Sequence, residues 1–239
     1  MMKTDILTAK KILFAAVRYI LLLVFAIFFI FPYFYMLTRS LMSLSEVNSP
    51  DFILFPSKLH FENYKIVADY LPFLKNTLLI IVINGFFIPV TGAMIAFPFA
   101  RYRFKGKNIM FSCLMATVML PGSVTTIPLY VLNSKLGLLD TLASQWVGAF
   151  FGGSALQIFL IVQFMRGIPD QLGEAAKIDG ANKFRIYWQI VMPLCLPIIA
   201  FTMVNTFLGT WNDFMNPLLY LGSRERLYTI SLGLYMDFM

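Results

Sequence analysis

Long apolar runs alternate along this chain with short polar ones. Five stretches, residues 19–38, 78–100, 109–132, 142–165 and 190–211, carry no charged side chain, and each is long enough to cross a hydrocarbon core, which takes about 20 apolar residues. None of the 19 Lys and Arg or the 12 Asp and Glu residues falls inside them. One Lys or Asp at a span centre costs roughly 2.5–3.5 kcal/mol, so the charge pattern marks the boundaries well. The pattern predicts an all-α, polytopic membrane bundle folded as a single transmembrane domain over 1–239. Residues 39–76, with Pro50, Pro56 and Pro72, read as the longest external connection, holding a short strand or helix at the interface.

Helix breakers punctuate the runs: Gly85, Pro89, Gly92 and Pro98, then Pro121-Gly122 and Pro128, then Pro193 and Pro197. Proline within a lipid-facing helix frees backbone groups, so such helices pack on protein or line a cavity. Gly152-Gly153 and Ser154 suit close helix packing. Polar residues within the runs are neutral hydrogen-bonding types, Asn205 among them, and a path lined this way fits a polyhydroxylated neutral solute better than an ion.

Composition points the same way. Hydrophobic residues make up 59% and charged residues 13%, against roughly 45–50% and about 25% in an ordinary soluble domain. Cys113 and Cys195 lie within spans without metal or redox spacing, and read as buried apolar thiols. The first span is too long for a signal-peptide apolar region.

Lys3, Lys10, Lys11 and Arg18 crowd the N-terminal arm. Arg101, Arg103, Lys105 and Lys107 crowd loop 101–108, and Arg166, Lys177, Lys183 and Arg185 lie in loop 166–189. The positive-inside rule places all three in the cytoplasm. The net charge of +7 is thus a matter of topology and needs no nucleic-acid partner. Residues 212–239 then fall outside after five crossings: either the protein spans five times, or the sequence stops short of a sixth helix expected beyond Met239.

The most structured polar segment is Glu174-Ala-Ala-Lys-Ile-Asp-Gly-Ala181. Asp170 can cap a helix there, Glu174 to Ile178 form little more than one turn, and Ala175 and Ala176 offer a face without bulk. Gly180 permits the left-handed geometry that ends the turn. Phe184, Tyr187, Trp188 and Val191 follow at i, i+3, i+4 and i+7, one apolar stripe at helical spacing. A helix–turn–helix elbow with exposed carboxylates suits insertion into a cleft of a partner protein better than rest on anionic headgroups.

Glu174-Ala-Ala-x-x-Asp-Gly-Ala, with Phe184, Ile190 and Pro193 beyond it, closely resembles the EAA motif of ABC importer permeases. Ile127-Pro-Leu-Tyr130, Phe99-Ala-Arg-Tyr-Arg-Phe-Lys-Gly106 and Trp211-Asn-Asp-Phe214 resemble the carbohydrate permeases of the maltose-transporter type. The resemblance implies that Glu174, Ala175, Ala176, Asp179, Gly180, Ala181, Phe184, Ile190 and Pro193 couple the chain to a separate ATPase subunit. It implies two ATP-binding subunits, a second homologous permease and an extracytoplasmic sugar-binding protein in the bacterial inner membrane. ATP and Mg would be bound by the partner, with no cofactor or metal in this chain. Asn205, Trp211 and Asn212 are candidates for the translocation path.

No G-x-x-x-x-G-K-[ST] phosphate loop occurs in the sequence, and His60, its only histidine, reads as a bystander. The rival reading is an ion-coupled secondary transporter, which places an ionisable group within the membrane. The charge-free spans speak against it.

Overall fold

The computed structural model describes residues 2–238, with side chains from 12 to 237. The side chains of Lys3, Lys10 and Lys11 and both terminal methionines therefore lie outside the described ones. All the regular structure among the described residues is helical. The chain divides into two units, Met1–Asp69 and Tyr70–Met239.

In the first unit, helix α1 (Met2–Ser40) runs well beyond the expected span at its N-terminal end and two residues past it at the other. Its apolar part, Ile12–Ser40, is unburied within the unit. A helix that is apolar on all sides needs lipid or another helix around it. The connection after it is a hook of turns with no strand. Asn63 donates to the carbonyls of Ser40 and Met42 at 3.0 and 2.9 Å, and the His60 amide donates to Leu41 at 3.0 Å. These bonds fold a 3-10 segment, Phe61–Ala68, back on the end of α1. Between them Ser43 and Glu46 form a capping box on the single turn Leu44–Val47. The second Glu46 oxygen accepts from the Ser57 amide at 2.8 Å. Four hydrogen bonds to its ionised form hold the Glu46 carboxyl down at about 2. His60 pairs with Glu62 at 2.6 Å, so it is a local partner within this hook.

The second unit is organised by helix α2 (Leu71–Arg101), which starts seven residues before its charge-free stretch because Tyr70 and Leu71-Pro72 open it with a proline in the first turn. Helices α5 (Ala155–Arg166) and α8 (Leu196–Asn212) pack along it. Ala93, Ala96 and Phe97 on α2 meet Ile158, Ile161, Val162 and Met165 on α5, and Cys195 and Ile199 close the cluster. Small residues permit this approach. A Cβ on Gly152 would come within 2.6 Å of Ile95 Cδ1, and one on Gly153 within 2.7 Å of Ile88 Cγ2.

Three expected spans are not straight helices. Residues 109–132 divide into α3 (Lys107–Val118) and α4 (Gly122–Lys135), bent by 103° at the Pro121 break. Residues 142–165 open with 3-10 turns at Leu142–Gln145 and Val147–Phe151, and Gly152 and Gly153 at φ 91° and 66° reset the chain before α5. The helix through Lys183–Leu194 meets α8 at 72°, where Pro197 cannot continue the ladder. Among the described residues, three helices are thus long and apolar enough to cross a membrane, or up to five when each bent pair counts as one span. Beyond α8 lie α9 (Met215–Leu221) and α10 (Ile230–Phe238). Thr77 Oγ1 accepts from the Ile230 amide at 2.8 Å, and Asn76 donates to the Arg226 and Tyr228 carbonyls at 3.0 Å. The start of α2 therefore holds α10. Cys195 is buried as expected, but Cys113 is exposed on α3, because the broken α3–α4 pair packs on the unit along only part of its surface.

Candidate functional site

The elbow begins where α5 ends. Gly167 and Ile168 turn the chain, Pro169 stops α5 from continuing, and α6 (Gln171–Ile178) follows. It is two turns long, not one, because Gln171 and Leu172 extend it toward its N-terminus. Asp170 occupies the N-cap position without capping. Its backbone is helical, φ −66° and ψ −27°, and its carboxylate turns away to pair with Arg101 at the end of α2.

The helix ends in a complete Schellman turn. Gly180, at φ 81°, donates to the Lys177 carbonyl at 3.0 Å, and Ala181 donates to the Ala176 carbonyl at 2.9 Å. This is the paired closure that a left-handed residue after the last turn makes possible. Asn182 then caps α7 (Lys183–Ile186), its Oδ1 accepting from the Arg185 amide at 2.8 Å. Two helices are thereby joined at a fixed angle by a turn whose backbone groups are satisfied.

Face by face, α6 separates its tasks. Ala176 is 8% exposed and belongs to the core cluster, where its small side chain lets the helix sit against Ile186. Gln171, Glu174, Ala175 and Ile178 lie at i, i+3, i+4 and i+7, and all four are exposed. Ile178 is 87% exposed and Phe184, across the turn, is 70% exposed. Asp179 is also exposed, Ala181 half-buried. The two alanines therefore do not share a face: one seats the elbow, the other leaves the outside of it flat.

The expected single stripe beyond the turn is split. Residues Tyr187–Val191 form a π-helical turn, which widens the spacing and turns Ile186, Tyr187 and Val191 inward while Phe184 and Trp188 remain exposed. The Tyr187 ring lies 5.1 Å from that of Phe97 on α2, and the exposed Phe184 and Trp188 rings meet edge-on at 6.2 Å. Ile190 is half-buried and Pro193 exposed. Lys183 sits over the Tyr102 ring at 5.0 Å, and burial pushes the Tyr102 phenol above its ordinary range. Between α2, α6 and α7 lies a cavity of about 160 Å³ whose walls include Arg101, Asp170, Glu174 and Lys177.

The three candidate path residues lie together on α8 and its end. Asn205 and Asn212 are exposed at a seven-residue spacing, each donating to its own helix, to Phe201 at 2.9 Å and to Leu208 at 2.8 Å. Trp211 stacks on Phe207, with ring centroids 5.9 Å apart and planes 19° from parallel. Phe207 and the Arg101–Asp170 pair are additions of the structure. The first is one phenylalanine among 25, and the second joins residues 69 apart, with no local pattern to announce either.

Residues 88–239 match the family described as the binding-protein-dependent transport system inner membrane component. The chain belongs to this family. The permease is 33% identical to the multiple sugar-binding transport system permease protein MsmG of Streptococcus mutans, over 91% of its own length and 80% of that protein's. It is 30% identical to the diacetylchitobiose uptake system permease protein NgcG of Streptomyces coelicolor, over 85% and 68%. Among solved structures it is similar to a chain of a bacterial ABC transporter involved in the import of the acidic polysaccharide alginate. That likeness has a TM-score of 0.79 at 25% identity and covers 94% of this chain and 79% of that one. The permease is therefore a multi-pass membrane protein, and its helical bundle is that of an ABC importer permease. The family range takes in the second half of α2, the elbow and α8.

Proposed function

We propose that this permease carries a carbohydrate, and that its elbow, residues 166–189, is the point where a separate ATP-hydrolysing subunit drives it. The observation that carries the reading is the division of α6. Its inner face is fixed to the bundle through Ala176, while its outer face presents Glu174, Ala175 and Ile178 with little bulk and with no side chain folded over them. A knob of this kind receives a push and passes it on. The relatives whose names specify a solute take up sugars, and the neutral polar residues along the spans suit such a solute.

In this reading Glu174 anchors the knob in the partner's cleft, Asp179 and Gly180 shape its tip, and Ala181, Phe184, Ile190 and Pro193 carry the movement toward α8. Asn205, Trp211 and Asn212, with Phe207, face the path, since stacked aromatic rings present apolar faces to a sugar and the amides offer hydrogen bonds. ATP and Mg belong to two partner subunits, and a second permease completes the path. An extracytoplasmic binding protein delivers the sugar. The N-terminus, loop 101–108 and the elbow face the cytoplasm, as the distribution of Lys and Arg implies. An ion-coupled mechanism is not favoured, because relatives of this chain are named as ABC transporter permeases.

The test is uptake by membranes holding the whole complex, with radiolabelled diacetylchitobiose, maltotriose and arabinotriose as probes. Glu174→Ala is expected to reduce ATP-dependent uptake at least about tenfold, the effect of losing about 1.4 kcal/mol of a charged contact, while membrane insertion stays normal. Unchanged uptake in that variant would remove the elbow from the mechanism. Accumulation that survives ATP depletion and collapses with the ion gradient would favour the secondary transporter.

A further inference from the structure

Outside the elbow's outer face and the α8 path, one feature joins the moving part to the helix that organises the bundle. Arg101 is the last residue of α2. Its side chain is only 11% exposed, and Nη1 meets the carboxylate of Asp170, whose own side chain is 80% exposed at the rim. Nε and Nη2 are buried and find no acceptor among the described residues. Asp170 is thus the one carboxylate this arginine has there. To form the pair, Asp170 leaves the capping role its position offers.

We infer that the Arg101–Asp170 pair is a strut that makes α2 follow the elbow, with Arg101 and Asp170 as positioning residues for transport. The inference rests on the reading of the elbow as the coupling point. A guanidinium with Nε and Nη2 buried cannot release the one carboxylate it has among the described residues without leaving a largely buried charge unpaired, so the pair stays closed while its surroundings move. Packing alone, through Phe97 against Tyr187, permits sliding; a charged hydrogen bond at the head of α6 does not. The far end of α2 holds α10 through Asn76 and Thr77, about 38 Å away along the helix at 1.5 Å per residue. A push on the elbow thereby reaches the opposite side of the bundle through α2, in addition to the route through the chain into α8.

Dipolar EPR on the whole complex tests this without knowledge of the sugar. Spin labels are placed at Met94→Cys on α2 and Gln171→Cys on α6, both exposed, with Cys113→Ser and Cys195→Ala, and the nucleotide-free and Mg·ATP–vanadate states are compared. The unaltered pair is expected to give one distance in both states. Asp170→Asn is expected to shift or broaden it by about 2 Å or more on vanadate trapping, the scale of helix shifts in such transitions, and Asp170→Glu to restore it. A distance in Asp170→Asn that is the same in both states overturns the strut, as does a change between states when the pair is intact. Loss of the ATPase subunit from the Asp170→Asn complex also overturns it, since the pair would then serve docking. If the ATPase subunit is missing from the complex with the native pair, the reading of the elbow itself fails, and this is seen before any label is attached.

Discussion

Two neighbouring alanines show how finely the elbow is specified. Ala176 has its side chain in the buried cluster that also holds Ile186 and Val191, while Ala175 stands on the open face next to Glu174. A larger side chain therefore does different damage at each. Ala176→Leu overpacks the core, at a cost of about 1–3 kcal/mol, and is expected to lower the thermal midpoint of the detergent-purified protein. Ala175→Leu should leave that midpoint unchanged and reduce recovery of the ATPase subunit on affinity purification. Equal loss of stability in both variants would contradict the division of faces. Gly180 is needed for a separate reason. Its surroundings are open, with nothing within 4 Å of where a Cβ would stand, and only the left-handed φ of 81° excludes other residues. The need for glycine at 180 was legible in the sequence, because the end of the predicted helix called for a left-handed residue. The role of Asp170 was not, because its partner Arg101 lies on another helix and no local spacing links them.

At the level of elements, the helix after the turn departs most from its sequence pattern. A 3.6-residue period puts Phe184, Tyr187, Trp188 and Val191 in one stripe; the π turn over Tyr187–Val191 separates the inward Tyr187 and Val191 from the outward Phe184 and Trp188. Periodicity assumes a regular helix, and so it could not show the split. Tyr187→Ala removes a ring packed on Phe97 and should cost about 3–5 kcal/mol, as large aromatic truncations in cores do. It is expected to abolish recovery of folded protein in size-exclusion chromatography. Phe184→Ala should elute normally and lose uptake.

The hook of the first unit makes an electrostatic prediction. Glu46 is held at about 2, from an ordinary 4.5, so its ionised form favours the folded hook. That contribution is complete above the ordinary carboxylate range and is lost as pH falls from about 4.5 through about 2. Hydrogen exchange of the Ser43 and Ser57 amides should therefore show the same structural protection at pH 7 and pH 5.5, after correction for the intrinsic rate. Glu46→Gln should lower it at both. Equal protection in the variant would show that the carboxylate does not hold the hook. The prolines at 121 and 197 revealed where the spans were weak. The bends of 103° and 72° depend on what the halves pack against, which the sequence does not display.

For the molecule as a whole, the charge-free runs gave the membrane class and the all-α bundle directly, since burying charge in lipid is too costly for exceptions to be common. They gave less of the packing: α2 as the organising helix emerges only from contacts with α5 and α8 that are remote in sequence. In the proposed mechanism, an elbow fixed inside by Ala176 and Tyr187 presents its outer face to the ATPase subunit, and α2 and α8 carry its displacement into the bundle. The central question is what touches that face. A photoreactive amino acid at position 178, the more exposed of the two large apolar residues on the surface of α6, tests it in membranes of the intact complex. The account predicts one covalent adduct with the ATP-binding subunit, reduced by Glu174→Ala. Adducts confined to lipid or to the second permease would contradict it.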